Sequence, residues 1–235
     1  MLRRPFVQQS DYQIGCRAGV WPLKITIFVQ NFQIMIKGVL KVAAAVAVIG
    51  AAVCSCSSKG DFTQIEKEII KGAQDTILKV YTIDNEEDLK VLRDTSINLG
   101  EKAIESELYA VLAQRMVETV THPNVDGVGL AAPQVGINRR VVAVQRFDKE
   151  GEPFEVYPNI SIIEKSQELA PGPEGCLSVP NQRHEVMRHT WVTIQYYSLE
   201  AHKVVQERIE GFTAVIFQHE VDHLSGVLYI DRVEQ

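Results

Sequence analysis

The sequence has no surplus of positive charge. Its 24 Lys and Arg are outnumbered by 30 Asp and Glu, giving a net charge of −6. A protein that grips nucleic acid by its phosphates carries a basic face, so no nucleic acid partner is expected. Cysteine is scarce. Cys16, Cys54, Cys56 and Cys176 are the only four in 235 residues. Three precede the globular part and the fourth stands alone, which excludes a disulfide framework. A membrane-spanning helix needs about 20 apolar residues, and the run Val42 to Val53 stops at twelve. Internal repeats and low-complexity tracts are also absent, which excludes solenoid and fibrous architectures. What is present, 46% hydrophobic and 23% charged residues, is an ordinary globular balance. It is enough for one domain of roughly 150–180 residues plus an extension.

The extension reads as an address. Lys37 and Lys41 precede the apolar run, and Cys54-Ser55-Cys56-Ser57-Ser58 follows it. A basic start, a short apolar core and small residues at its end describe an export signal, with Met35 as its natural start. Ser55 before Cys56 resembles the processing site of bacterial lipoproteins, whose cysteine becomes the lipidated N-terminus. Cys56 fits better than Cys54, which follows the larger Val53. A lipid anchor at Cys56 would tie the protein to a membrane, facing the periplasm or the exterior. If the segment is not functional, the location is cytoplasmic.

Further along, Phe62, Ile65, Ile69 and Ile70 recur near helical spacing and predict an amphipathic helix over 59–80. An apolar stripe of Ile104, Leu108, Val111, Leu112 and Met116 predicts a helix over 100–120. Strands are expected over 139–147 and 154–166, the second interrupted at Pro158-Asn159, and Pro171-Gly172-Pro173 reads as a loop. Alternation over 191–197 and 203–209 predicts a hairpin. A last helix is expected from Gly211 to near Gly226, then a short strand over 228–230.

That last helix carries His219-Glu220-Val221-Asp222-His223. Residues i and i+4 share one helix face, so both imidazoles can reach one metal ion. Glu220 lies about 100° round the helix, close enough to touch a water on that metal but poorly aimed to be a ligand. The helix is apolar on much of its circumference, so buried imidazoles there need partners. Cys176 would complete a Cys-His-His set with a fourth position open, the geometry of a catalytic site. Taken alone, a free cysteine is as readily a small buried hydrophobe. A zinc endopeptidase using the same motif would need a third ligand downstream of His223, where the only glutamate is Glu234.

Three stretches resemble the peptide deformylases. They are Gly127-Val128-Gly129-Leu130-Ala131-Ala132-Pro133-Gln134, Glu174-Gly175-Cys176-Leu177-Ser178 and Gln218-His219-Glu220-Val221-Asp222-His223-Leu224, in the family's order and at similar separations. The resemblance covers roughly residues 82 to 231. It implies an α+β fold, with small antiparallel sheets packed around a central metal-bearing HExxH helix. It implies Cys176, His219 and His223 as ligands of one divalent ion, Fe²⁺ above all, with Zn²⁺ or Ni²⁺ able to substitute. Glu220 is implied as general acid/base, and the Gln134 side chain and Leu177 backbone N–H as oxyanion donors. The implied reaction is removal of the N-formyl group from N-formylmethionyl peptides, releasing formate, by attack of a water held on the metal.

For the substrate, Val128, Gly129 and Leu130 are expected to line an edge that pairs with the peptide backbone. Val215 and Ile216 would wall the methionine pocket, and Arg183 would lie near the peptide. A monomer is expected. The domain reading is a mis-called or disordered extension over 1–34, a lipoprotein-type signal segment over 35–58, a linker helix over 59–81 and a peptide deformylase catalytic domain over 82–235.

Overall fold

A computed structural model describes residues 60–73 and 76–233. Residues 35–58, where an export signal is expected, and the cysteines Cys16, Cys54 and Cys56 lie outside these residues. Among the described residues, five α-helices and eight strands follow one another: α1 (Gln64–Lys71), α2 (Glu86–Leu92), α3 (Glu101–Ile104), α4 (Glu107–Val120), β1 (Gly129–Ala131), β2 (Val141–Gln145), β3 (Phe154–Pro158), β4 (Ser161–Lys165), β5 (Leu169–Cys176), β6 (Val179–His189), β7 (Trp191–Ser198), β8 (Lys203–Glu210) and α5 (Gly211–His223). The strands form three antiparallel sheets, ordered β1-β2-β3, β4-β7-β8 and β5-β6. Helix α5 contacts strands of all three, so the expected architecture of small sheets around the His-bearing helix holds.

Several local expectations give way. The helix expected over 59–80 is only α1. Thr63 and Glu66 close a capping box at its start, and Gly72 follows its end. The carbonyls of Ile69 and Ile70 there accept from the Arg115 guanidinium. The helix expected over 100–120 breaks at Glu105-Ser106, because the Ser106 hydroxyl caps a new start by accepting from the Tyr109 N–H. The charged stretch 84–99 holds α2, capped by Asn85.

Pro171-Gly172-Pro173 is not a loop but part of β5, opposite Met187, Val186 and Glu185 of β6. Two prolines two residues apart both turn their missing N–H to the same edge. That edge is free because β5 pairs with β6 alone. The strand expected over 228–230 is a 3-10 turn, Tyr229–Arg232.

A small apolar cluster of Val179, Val186, Leu228 and Tyr229 packs on Cys176, and two larger ones seat the rest of the site. One joins α1 and α4 to Leu130, Ala132, Val135 and Ile137. The other packs Ala214, Ile216 and Phe217 of α5 against Val142, Val144, Val192 and Ile194. Phe217 meets Tyr157 edge to face at 5.0 Å. No helix among the described residues is long and apolar enough to cross a membrane.

Candidate active site

The end of β5 and one face of α5 bring three soft donors together. Cys176 Sγ and ring nitrogens of His219 and His223 all lie within 4.8 Å of one another, with Sγ 3.2 Å from His223 Nε2. His223 is buried and its Nδ1 has no partner. Burial holds its charged form well below the ordinary histidine range, leaving a neutral ring able to ligate. His219 turns Nδ1 to Glu174 Oε2 at 2.8 Å and lies under the ring of Tyr229. Burial opposes charge on His219, but the Cys176 sulfur and the Glu174 carboxylate outweigh it and raise it to about 10. The pocket therefore favours a cation at this point. One sulfur and two nitrogens, with a fourth direction open, suit a tetrahedral divalent ion.

A support behind the donors escaped the sequence reading. Arg188 on β6 donates to both Glu174 oxygens, at 2.7 and 2.9 Å, and also to Asp222. Asp222 in turn accepts from Arg232, so it is a paired group and not a solvated charge. Burial would raise Glu174, but hydrogen bonds from Arg188 and His219 win and hold it at about 2. The signal available in the sequence was its nearness: Glu174 stands two residues before Cys176.

Glu220 is buried beside the donors, with Oε2 unpartnered. Burial pushes its carboxyl up to about 7, against the pull of His219. Its seat depends on Gly129: a Cβ there would come within 2.4 Å of Glu220 Oε1. Gln134 sits in a 3-10 turn after β1. The Ala131 N–H donates to its Oε1 at 2.8 Å, and its Nε2 donates to Ser178 Oγ at 3.2 Å. The first bond fixes which way the amide faces. The second uses one of two N–H groups, and the other donates to Cys176 Sγ at 3.6 Å.

These groups border a cleft of about 690 Å³. Val128, Gly129, Leu177, Arg183, Val215 and Ile216 line it, together with Gln134, Cys176, His219 and Glu220. Phe212, not anticipated, lines it too and packs against Phe147. Leu130 does not line it, a correction to the expected peptide edge. Its side chain is fully buried in the cluster under α4, and it stands opposite Ala143 of β2. The Gln145 N–H donates to Val128 O, so along β1 the backbone groups of residues 128 and 130 turn to β2 and those of Gly129 turn to the free edge.

Comparison with known proteins identifies a family. A family model described as polypeptide deformylase matches residues 77–235. The peptide deformylase of Caulobacter vibrioides is 40% identical over 68% of this chain and 89% of its own length. That of Leptospira biflexa is 40% identical over 67% and 88%. The crystal structure of a class I type b peptide deformylase from Acinetobacter baumannii, with K1U bound, is 37% identical with a TM-score of 0.59, covering 67% of this chain and 99% of that one. The peptide deformylase structure from Thermotoga maritima is 34% identical with a TM-score of 0.59, over 68% and 99%. With the family model spanning well over half of it, the chain belongs to the peptide deformylase family.

Proposed function

We propose that this chain carries out the family's hydrolysis, removal of the N-formyl group from formylated peptides, with Cys176, His219 and His223 as the ligands of one divalent ion. The observation that carries this reading is the meeting of those three donors at a cleft that Cys176, His219, Glu220 and Gln134 line. A divalent ion held there supplies Lewis acidity, bringing water ionisation toward neutral pH and polarising the formyl carbonyl. Family membership supports a divalent ion, and of the candidates we favour Fe²⁺, with Zn²⁺ or Ni²⁺ able to replace it.

The remaining work falls to the chain. The Glu220 carboxylate takes a proton from the attacking water and returns it to the leaving amine. Its burial suits both directions, because a group held at about 7 exchanges protons readily near neutral pH. A nearby cation would draw it down somewhat and keep it ionised at the start. The Gln134 N–H that faces Cys176 Sγ, turning from the sulfur to the substrate, and the Leu177 backbone N–H donate to the formyl oxygen as negative charge grows on it. A neutral donor of this kind is worth about 3–4 kcal/mol in the transition state.

The Gly129 backbone pairs with the peptide as an added strand would. Val215, Ile216 and Phe212 supply apolar walls for the N-terminal methionine. Arg183 serves the residues beyond it. The Acinetobacter baumannii enzyme has been crystallised with Met-Ala-Ser bound, which supports a short methionyl peptide as the probe. We further propose a monomer held to a membrane by a lipid at Cys56. On that reading the substrates are formyl-peptides outside the cytoplasm and not nascent chains. The test is formate release from formyl-Met-Ala-Ser against acetyl-Met-Ala-Ser by metal-loaded protein. Turnover of the formyl peptide alone is expected, and no formate at full metal occupancy rejects the reading.

A further inference from the structure

Residues 60–73 stand outside the family match, which begins at residue 77, yet they are bound into the domain by two deeply buried cations. Arg139 is 2% exposed and donates through Nε and an Nη to both oxygens of Glu66, at 2.8 and 2.9 Å, and to the Asp61 carbonyl. Arg115 donates to the carbonyls of Ile69, Ile70, Ala73 and Thr76. All of these acceptors belong to residues 61–76. Removing that segment would strand two buried positive charges, a large penalty.

The segment also reaches the back of the site. Phe62 and Ile70 are buried in the same cluster as Leu130, Ala132, Val135 and Ile137, the residues on either side of Gly129 and Gln134. Ile69 packs on that cluster too, and its Cδ1 lies 3.2 Å from where a Cβ would stand on Gly136. Gly136 closes the turn that carries Gln134, with φ +83°. Arg139, three residues on, precedes β2, and β2 holds β1 in register. One face of the Gln134 turn is thus the cleft, and the opposite face is supported jointly by Tyr81, whose N–H donates to Gln134 O at 2.7 Å and whose ring lies nearest Gly136, and by Ile69 of a segment that the family match does not include.

We infer that residues 60–73 are a built-in strap whose docking on Arg139, and whose Ile69 against Gly136, position Gln134. They are positioning residues and touch no substrate. The inference rests on Gln134 acting as the oxyanion donor. It predicts that loosening the strap lets the Gln134 side chain leave its bond to the Ala131 N–H, with substrate binding little changed.

The test uses the full chain with Ile69→Ala, Glu66→Gln and the conservative Ile69→Val. The control is Glu207→Gln, which weakens the remote buried Arg146 cluster. Two quantities are read: kcat and KM for formyl-Met-Ala-Ser at equal metal content, and hydrogen exchange at the Ala131 amide, which needs neither metal nor substrate. We expect Ile69→Ala and Glu66→Gln to lower kcat about three- to tenfold at unchanged KM, and to speed Ala131 exchange by a similar factor. Ile69→Val should restore both, and Glu207→Gln should move neither. Unchanged kcat and exchange in the strap variants, or equal losses in Glu207→Gln, would overturn the strap's role. Full turnover in Gln134→Ala would instead reject the donor role of Gln134, and the exchange reading then still decides whether the strap holds the turn.

Discussion

At the scale of single residues, Gly129 and Glu220 are one feature. The carboxylate is seated where a side chain on residue 129 would stand. Gly129→Ala should therefore leave the fold intact but displace Glu220, lowering kcat by at least about 10²-fold, the low end of what a general acid/base supplies. Steady-state kinetics together with an unchanged circular dichroism spectrum checks this; near-normal kcat would contradict it.

Protonation of the donors gives a second expectation. His219, raised to about 10, carries a proton in the metal-free protein at neutral pH, and an ion must displace it. Metal affinity should rise with pH below that value, by about tenfold per unit for one released proton. Competition titrations at pH 6 and pH 8 measure the slope, and a flat response would show that no proton is displaced. The three donors and Glu220 were legible in the sequence because two lie on one helical face and the glutamate adjoins them. The role of Leu130 was misread because neighbouring strand residues face opposite ways, and sequence alone does not say which way β1 turns.

At the scale of elements, the hairpin β5–β6 holds the site together from behind. It carries Cys176 at its turn, Glu174 two residues before it and, on the partner strand opposite Ala170, Arg188, which reaches back to Glu174. Glu174 fixes the His219 ring through Nδ1, so Nε2 faces the donor centre. Glu174→Gln should weaken metal binding about 10–100-fold while preserving the three ligands, measured as ion retained after dialysis against a chelator. Retention equal to wild type would contradict the support role.

This hairpin was also the hardest element to read. Its Pro-Gly-Pro sequence carries loop composition, and only a free sheet edge makes it tolerable in a strand. The hairpin β7–β8 was plain from its alternation, since one of its faces packs on the core. The break at Glu105-Ser106 was missed because the apolar stripe continues across it, while the serine cap acts through the backbone.

At the scale of the whole molecule, the division at residue 81 misplaces the structural boundary. Residues 60–81 pack and bond with the catalytic part through Arg115 and Arg139, contacts between residues too far apart in sequence to leave a periodic trace. Anchoring at Cys56 would place a lipid only a few residues ahead of this docked segment. Cys56→Ser should move the protein from the detergent phase to the aqueous phase in a partition experiment, and equal partitioning of both forms would count against a lipid at that cysteine.

The central claim is that deformylation occurs at Cys176, His219 and His223 with Glu220 moving the proton. It is tested most directly by formate release from formyl-Met-Ala-Ser by wild type and Glu220→Ala at matched divalent-metal content. The account predicts that the variant keeps its ion and its KM but loses about 10²–10⁴-fold in kcat. Equal turnover by the two proteins, or no turnover by fully metallated wild type, would contradict it.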